Sequence, residues 1–70
     1  MPIPKEFQKG DAIEYVEKPG WPTERVVRKG KIENVNRRAD TMHIRYNDYV
    51  VVLQTEASWW IEHGHLRKVK

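Results

Sequence analysis

Between Thr41 and Tyr46 the chain alternates without a break: Met42, Ile44 and Tyr46 are apolar or aromatic, while Thr41, His43 and Arg45 are polar. Alternation of period two puts one set on each face of a β-strand. This stretch therefore predicts a half-buried strand with His43 and Arg45 turned outward. No segment of useful length carries apolar residues at helical spacing, so the core has to be built from strands.

The rest of the chain divides around that strand. Residues 1–9, with Pro2 and Pro4, read as a flexible N-terminal arm. Gly10-Asp11 opens a first strand, with Ile13 and Tyr15 on one face and Ala12, Glu14 and Val16 on the other. Lys18-Pro19-Gly20-Trp21-Pro22 is a loop, because two prolines and a glycine deny it a regular ladder. Residues 25–37 read as a long second strand in which Gly30 marks a bend or bulge. Asn47-Asp48 is a turn, and residues 49–55, rich in valine, make a fourth strand. Residues 56–62 are too few for a packed helix and predict a short 3₁₀ turn with Ser58 as a candidate cap. Gly64 ends that turn, and residues 65–70 close the fold with Leu66 and Val69 as core candidates. The expectation is an all-β domain over residues 10–70, a small five-stranded barrel.

Seventy residues leave room for one domain. Only 39% are apolar, but three Trp, three Tyr and one Phe concentrate apolar area on few side chains. Cysteine is absent, which excludes disulfide staples and thiolate metal sites. The first residues hold no apolar leader, and no run approaches the roughly 20 apolar residues of a membrane span, so the expected location is the cytoplasm.

Net charge is +3, and its distribution is uneven. Seven basic residues (Arg25, Arg28, Lys29, Lys31, Arg37, Arg38, Arg45) face two acids, Glu33 and Asp40, between positions 25 and 45. Arg67, Lys68 and Lys70 follow at the end, while Glu6, Asp11, Glu14, Glu17 and Glu24 sit early. Folding that pattern into one domain would give it a positive side.

Lys9-Gly10-Asp11-x-Ile13, Gly30-Lys31-Ile32-x-x-Val35 and Ile44-Arg45-Tyr46-Asn47-Asp48, followed by one turn and a basic closing strand, resemble SH3-like barrels of the Tudor, KOW and integrase C-terminal kind. The resemblance spans about Gly10 to Lys70 and implies a fold more than a function. Families on this barrel bind DNA, RNA, methylated peptides or protein partners.

Basic residues beside aromatics point first to nucleic acid: cations meet phosphates, and aromatic faces stack on bases. The candidate residues are Arg28, Lys29, Lys31, Arg37, Arg38 and Arg45 for phosphate, with Trp21 and Tyr49 for stacking. An ordinary solvated face would look similar. The alternative is a protein-interaction module presenting Trp21 and the exposed member of the Trp59-Trp60 pair. An aromatic cage from Tyr15, Trp21, Tyr46 and Tyr49 with Asp48 is disfavoured, because Tyr46 belongs to the core alternation. His63-x-His65 could supply two metal ligands from one face of a strand, but no third of suitable geometry can be read beside His43 and Glu62, so no metal or cofactor is expected. No nucleophile–base set or phosphate-cradling loop occurs, so the chain is not expected to be an enzyme.

Overall fold

A computed structural model describes residues 3–69. Met1 and Pro2 of the expected arm, and Lys70 of the basic tail, lie outside the described residues. The chain forms β1 (Ala12–Glu17), β2 (Arg25–Asn36), β3 (Thr41–Tyr46), β4 (Tyr49–Leu53), α1 (Ala57–Glu62) and β5 (Leu66–Lys68). All five strands join one antiparallel sheet in the order β4-β3-β2-β1-β5. The fold is mostly β, as the alternation requires.

The expected barrel closure is not made. Among the described residues no ladder joins β4 to β5. The sheet curls instead, so that Val51 and Leu53 at one end and Leu66 at the other line a single cavity. With β5 only three residues long, side chains that include Trp60 of α1 span the gap.

The long strand β2 carries two irregularities. Against β1 the register jumps from Tyr15↔Arg28 to Val16↔Val26, leaving Val27 unpaired. Against β3 it jumps from Ile32↔Ile44 to Asn34↔His43, leaving Glu33 unpaired. Each extra residue bends the strand and increases its twist, which is how one 12-residue strand curls around the core. The bulge expected at Gly30 therefore falls three residues to either side of it. Gly30 itself pairs in register with Ile13 and Tyr46. Its role is close approach: a Cβ there would meet Arg45 O at 2.5 Å and Tyr46 Cδ1 at 2.8 Å. The Tyr46 ring thus lies directly over the glycine backbone.

The core gathers Ile13, Ile32, Met42, Ile44 and Tyr46 from the sheet, with Ala57 of α1 and Leu66 of β5. Ile3 and Phe7 also belong to it, so the segment read as a loose arm contributes two buried side chains. Arg37 binds that segment: its guanidinium donates to Phe7 O at 2.8 Å and to Ile3 O, Pro4 O and Lys5 O at 3.4 Å.

The expected 3₁₀ turn is a short α-helix, since Trp60 N–H reaches Glu56 O and His63 N–H reaches Trp59 O, four residues back in each case. Ser58 is not its cap. Ser58 is the second helical residue and is buried, and the capping acceptor comes from the β2–β3 turn. Asp40 Oδ1 accepts Ser58 N–H at 2.9 Å, Asp40 Oδ2 accepts the Ser58 hydroxyl at 2.6 Å, and Asp40 O accepts Ala57 N–H at 3.2 Å. A helix this short does not hold itself together in water, and this external cap supplies part of what it lacks.

Candidate ligand-binding site

The curled sheet leaves a cavity of about 260 Å³ between its two ends. Its lining is Tyr15, Tyr46, Val51, Leu53, Trp60 and Leu66, with Arg28 contributing the one charged group. The strand registers explain the convergence. Arg28, Gly30 and Ile32 share the inner face of β2, opposite Tyr15 on one side and Tyr46 on the other. Tyr46 in turn pairs with Tyr49 across the β3–β4 turn.

Three tyrosine rings surround the Arg28 guanidinium. Its carbon lies 5.5 Å from the Tyr46 centroid, 5.9 Å from Tyr49 and 6.0 Å from Tyr15. It also donates a hydrogen bond to the Tyr49 hydroxyl. Ring quadrupoles attract the cation and hold a long side chain in one place. Burial raises the Tyr46 phenol above the ordinary tyrosine value, and the nearby Arg28 charge partly opposes that shift. Deeper in, the Trp60 ring packs on Tyr15 at 5.9 Å, and its indole N–H is buried without an acceptor. Three of the four proposed cage aromatics do converge, then, but on the protein's own arginine.

The residues expected to act together on phosphate are dispersed. Arg28 lines the cavity, and Tyr49 lies beside it, hydrogen-bonded to the guanidinium. Lys29, Lys31 and Arg45 lie on the opposite face of the sheet, where Lys29 is opposite Glu14 and Lys31 is opposite Arg45. Arg45 is ion-paired with Glu33. Arg37 binds the N-terminal segment, and Arg38 is exposed in the far β2–β3 turn. Trp21 is 68% exposed in the β1–β2 loop. Other cations are also matched: Arg25 with Glu17, Arg67 with Glu24 and Lys68 with Asp11. Folding thus pairs two of the seven basic residues between positions 25 and 45, Arg25 and Arg45, with acids.

Tyr15 and Tyr46 are not among the expected site residues, because the strand alternation places Tyr46 with the core, and the sequence leaves open which of Trp59 and Trp60 turns inward. A signal of the bulge at Glu33 was present, however. Ile32 and Val35 are three apart, and both pack on the core only with one residue between them bulged.

A second feature lies around α1. Trp59 is 48% exposed and stacks on His63 at 4.4 Å and His65 at 5.8 Å. His65 Nδ1 donates to Val16 O at 3.1 Å, which leaves the imidazole tied to the sheet. Beside Trp59 runs a shallow groove lined by Asp40, Glu56 and Glu62. Among the described residues no three His, Cys, Asp or Glu gather closely enough to hold a metal ion, and no helix is long and apolar enough to cross a membrane. Compared with protein families, curated proteins and solved structures, the chain matches none of them.

Proposed function

We propose that the chain is a non-catalytic cytoplasmic domain of SH3-like barrel type that binds single-stranded nucleic acid, DNA or RNA, at the mouth of the tyrosine-lined cavity. The observation that carries this reading is the Arg28 guanidinium set among Tyr15, Tyr46 and Tyr49. A fixed cation beside exposed aromatic area is the chemistry that takes a phosphate and an adjacent base together. Tyr49, 42% exposed, offers a stacking face. The unpaired Trp60 N–H supplies a donor for a base carbonyl or ring nitrogen that enters the cavity. Recognition is of single strands, since a base inside a duplex cannot reach a cavity and the described residues hold no helix beyond the six-residue α1 to enter the major groove.

The test is titration of labelled single- and double-stranded oligonucleotides at low and moderate salt. Single strands bind and weaken with salt, and Arg28→Gln reduces the salt slope by about 0.7, one phosphate's share on a single strand. Tyr49→Ala costs about 1–3 kcal/mol if a base stacks there. Absence of single-strand binding at low salt, or an Arg28→Gln protein that binds like the parent, overturns the reading.

A protein-interaction role remains the second reading, supported by a separate observation. A Cβ on Gly64 would lie 3.2 Å from Pro19 Cβ, and Arg67 pairs with Glu24, so the loop bearing Trp21 is fixed against the turn that follows Trp59. Two exposed tryptophans on tethered segments are the usual anchors of a protein partner. Binding there would be insensitive to salt and to Arg28→Gln.

A further inference from the structure

We infer that β4 is a self-pairing edge and that a second copy of this chain adds its own β4 there, antiparallel, to make one continuous ten-stranded sheet. The two edges of the sheet differ. The β5 edge is three residues long, carries Arg67 and Lys68, and is tied down by Lys68 Nζ on Glu6 O and by Val69 N–H on Ala12 O. The β4 edge is Tyr49-Val50-Val51-Val52-Leu53, without a charge, a proline or a break in register. No backbone hydrogen bond outside the β3 ladder reaches these residues among those described. Proteins guard an open edge with brevity, charge, proline or a bulge; β5 has two of these devices and β4 has none.

The register follows from the turn. Asn47-Asp48 is a two-residue connection, so Tyr46↔Tyr49 is a hydrogen-bonded pair, and alternation points the N–H and C=O of Val50 and Val52 away from β3. A two-fold axis through Val51 sets Val50 of each copy opposite Val52 of the other, with both pairs hydrogen-bonded. Val52, 41% exposed, gains a valine neighbour on the outer face. On the inner face Tyr49 meets Leu53 of the second copy. No like charges are brought opposite: Asp48 faces Gln54. This self-complementarity, an isologous interface, favours a second copy over an unrelated strand. Because Val51 and Leu53 also line the cavity, the two cavities would lie side by side across the axis.

One five-residue strand pair is small against the roughly 1,200–2,000 Å² of a stable interface, so the dimer is weak and concentration-dependent. Sedimentation equilibrium without nucleic acid, from low micromolar to millimolar protein, reads it directly. The parent chain fits a monomer–dimer equilibrium. Val52→Pro removes an N–H that β3 does not use, and it raises the dimer dissociation constant at least tenfold while circular dichroism stays unchanged. Val52→Lys, which keeps the backbone intact, does the same and covers the case in which the proline variant misfolds. A parent chain monomeric throughout, variants that dimerise like the parent, or species larger than a dimer overturn the inference.

Discussion

Asp40 caps a helix that begins 17 residues after it: its carboxylate accepts both the backbone N–H and the hydroxyl of Ser58. The acceptor is set by the backbone, since Asp40 sits at φ +54°, a left-handed conformation that places its side chain toward α1. The β2–β3 turn is thereby fastened to the helix that carries Trp59 and Trp60.

That link separates two contributions to stability. Asp40→Ala loses the cap and adds strain at a positive φ, and should cost about 2 kcal/mol. Asp40→Asn keeps an acceptor and tolerates the conformation, so its cost should be less than half as large. Urea unfolding of the two variants decides the matter. Equal losses would mean that one amide oxygen cannot stand in for the carboxylate, whose two oxygens each accept from Ser58.

Gly30→Ala is the harshest small substitution available. The added methyl meets a backbone oxygen at 2.5 Å, which cannot rotate away, and a ring whose other side packs in the core. A loss of about 3 kcal/mol or more is expected, at the upper end for overpacking. A midpoint shift corresponding to less than about 0.5 kcal/mol would show that Tyr46 does not lie over Gly30 in solution.

Arg37 and Arg38 are adjacent and chemically identical, yet they should behave differently. Arg37 donates to four carbonyls of residues 3–7 and holds Ile3 and Phe7 against the core. Arg37→Ala should cost about 1–2 kcal/mol and speed amide exchange at Phe7, whose N–H donates to Pro4 O. Arg38→Ala should stay within about 0.5 kcal/mol, as exposed substitutions do. Matching losses from both would remove the structural role assigned to Arg37.

The ion pairs give stability a pH dependence of definite sign. Hydrogen bonding to Arg67, then to Gly20 N–H, lowers the Glu24 pKa; hydrogen bonding to Arg25 lowers that of Glu17; the Gln8 N–H lowers that of Asp11. A carboxyl group with a lowered folded-state pKa binds fewer protons folded than unfolded. Its contribution is complete above the unfolded value and is lost as pH falls through the folded one. Melting temperature should be flat near neutrality and drop below about pH 4.3. Glu24→Gln should flatten part of that drop, and added salt should weaken it because the pairs are open to solvent. A Glu24→Gln curve parallel to the parent's would show that the Arg67 pair is not formed.

The sheet was legible where alternation is unbroken. Met42, Ile44 and Tyr46 face the core, and the turn at Asn47-Asp48 is where its composition puts it. Legibility failed where geometry departs from period two. Neither bulge is marked by a glycine or proline; the Ile32-x-x-Val35 spacing points to the one at Glu33, but nothing in the spacing marks the one at Val27, so the faces of the first half of β2 could not be assigned. It failed again where partners are distant in sequence. Arg37 meets Phe7 across 30 positions and Arg28 meets Tyr49 across 21, and a local reading treats all such arginines as equivalent surface charges. The candidate site was therefore half visible: Arg28 and Tyr49 belong to the expected contact set, whereas alternation puts Tyr46 with the core and cannot tell Trp59 from Trp60.

The two faces of β2 provide the sharpest test of where a nucleic acid would sit. Lys29 follows Arg28 directly, so a sequence-based surface would weight the two equally. In the sheet they point to opposite sides, Arg28 among the tyrosines and Lys29 opposite Glu14. If single strands bind at the cavity, Arg28→Gln should reduce the salt slope by about 0.7, while Lys29→Gln with Lys31→Gln should change it by far less than the 1.4 expected for two lost phosphate contacts. Equal charge is kept by comparing Arg28→Gln with Lys29→Gln alone, which removes any effect of net charge on long-range attraction. Should the lysine substitution carry the larger effect, the binding surface is the outer face of the sheet, and the tyrosine cluster serves only to hold Arg28 in the fold.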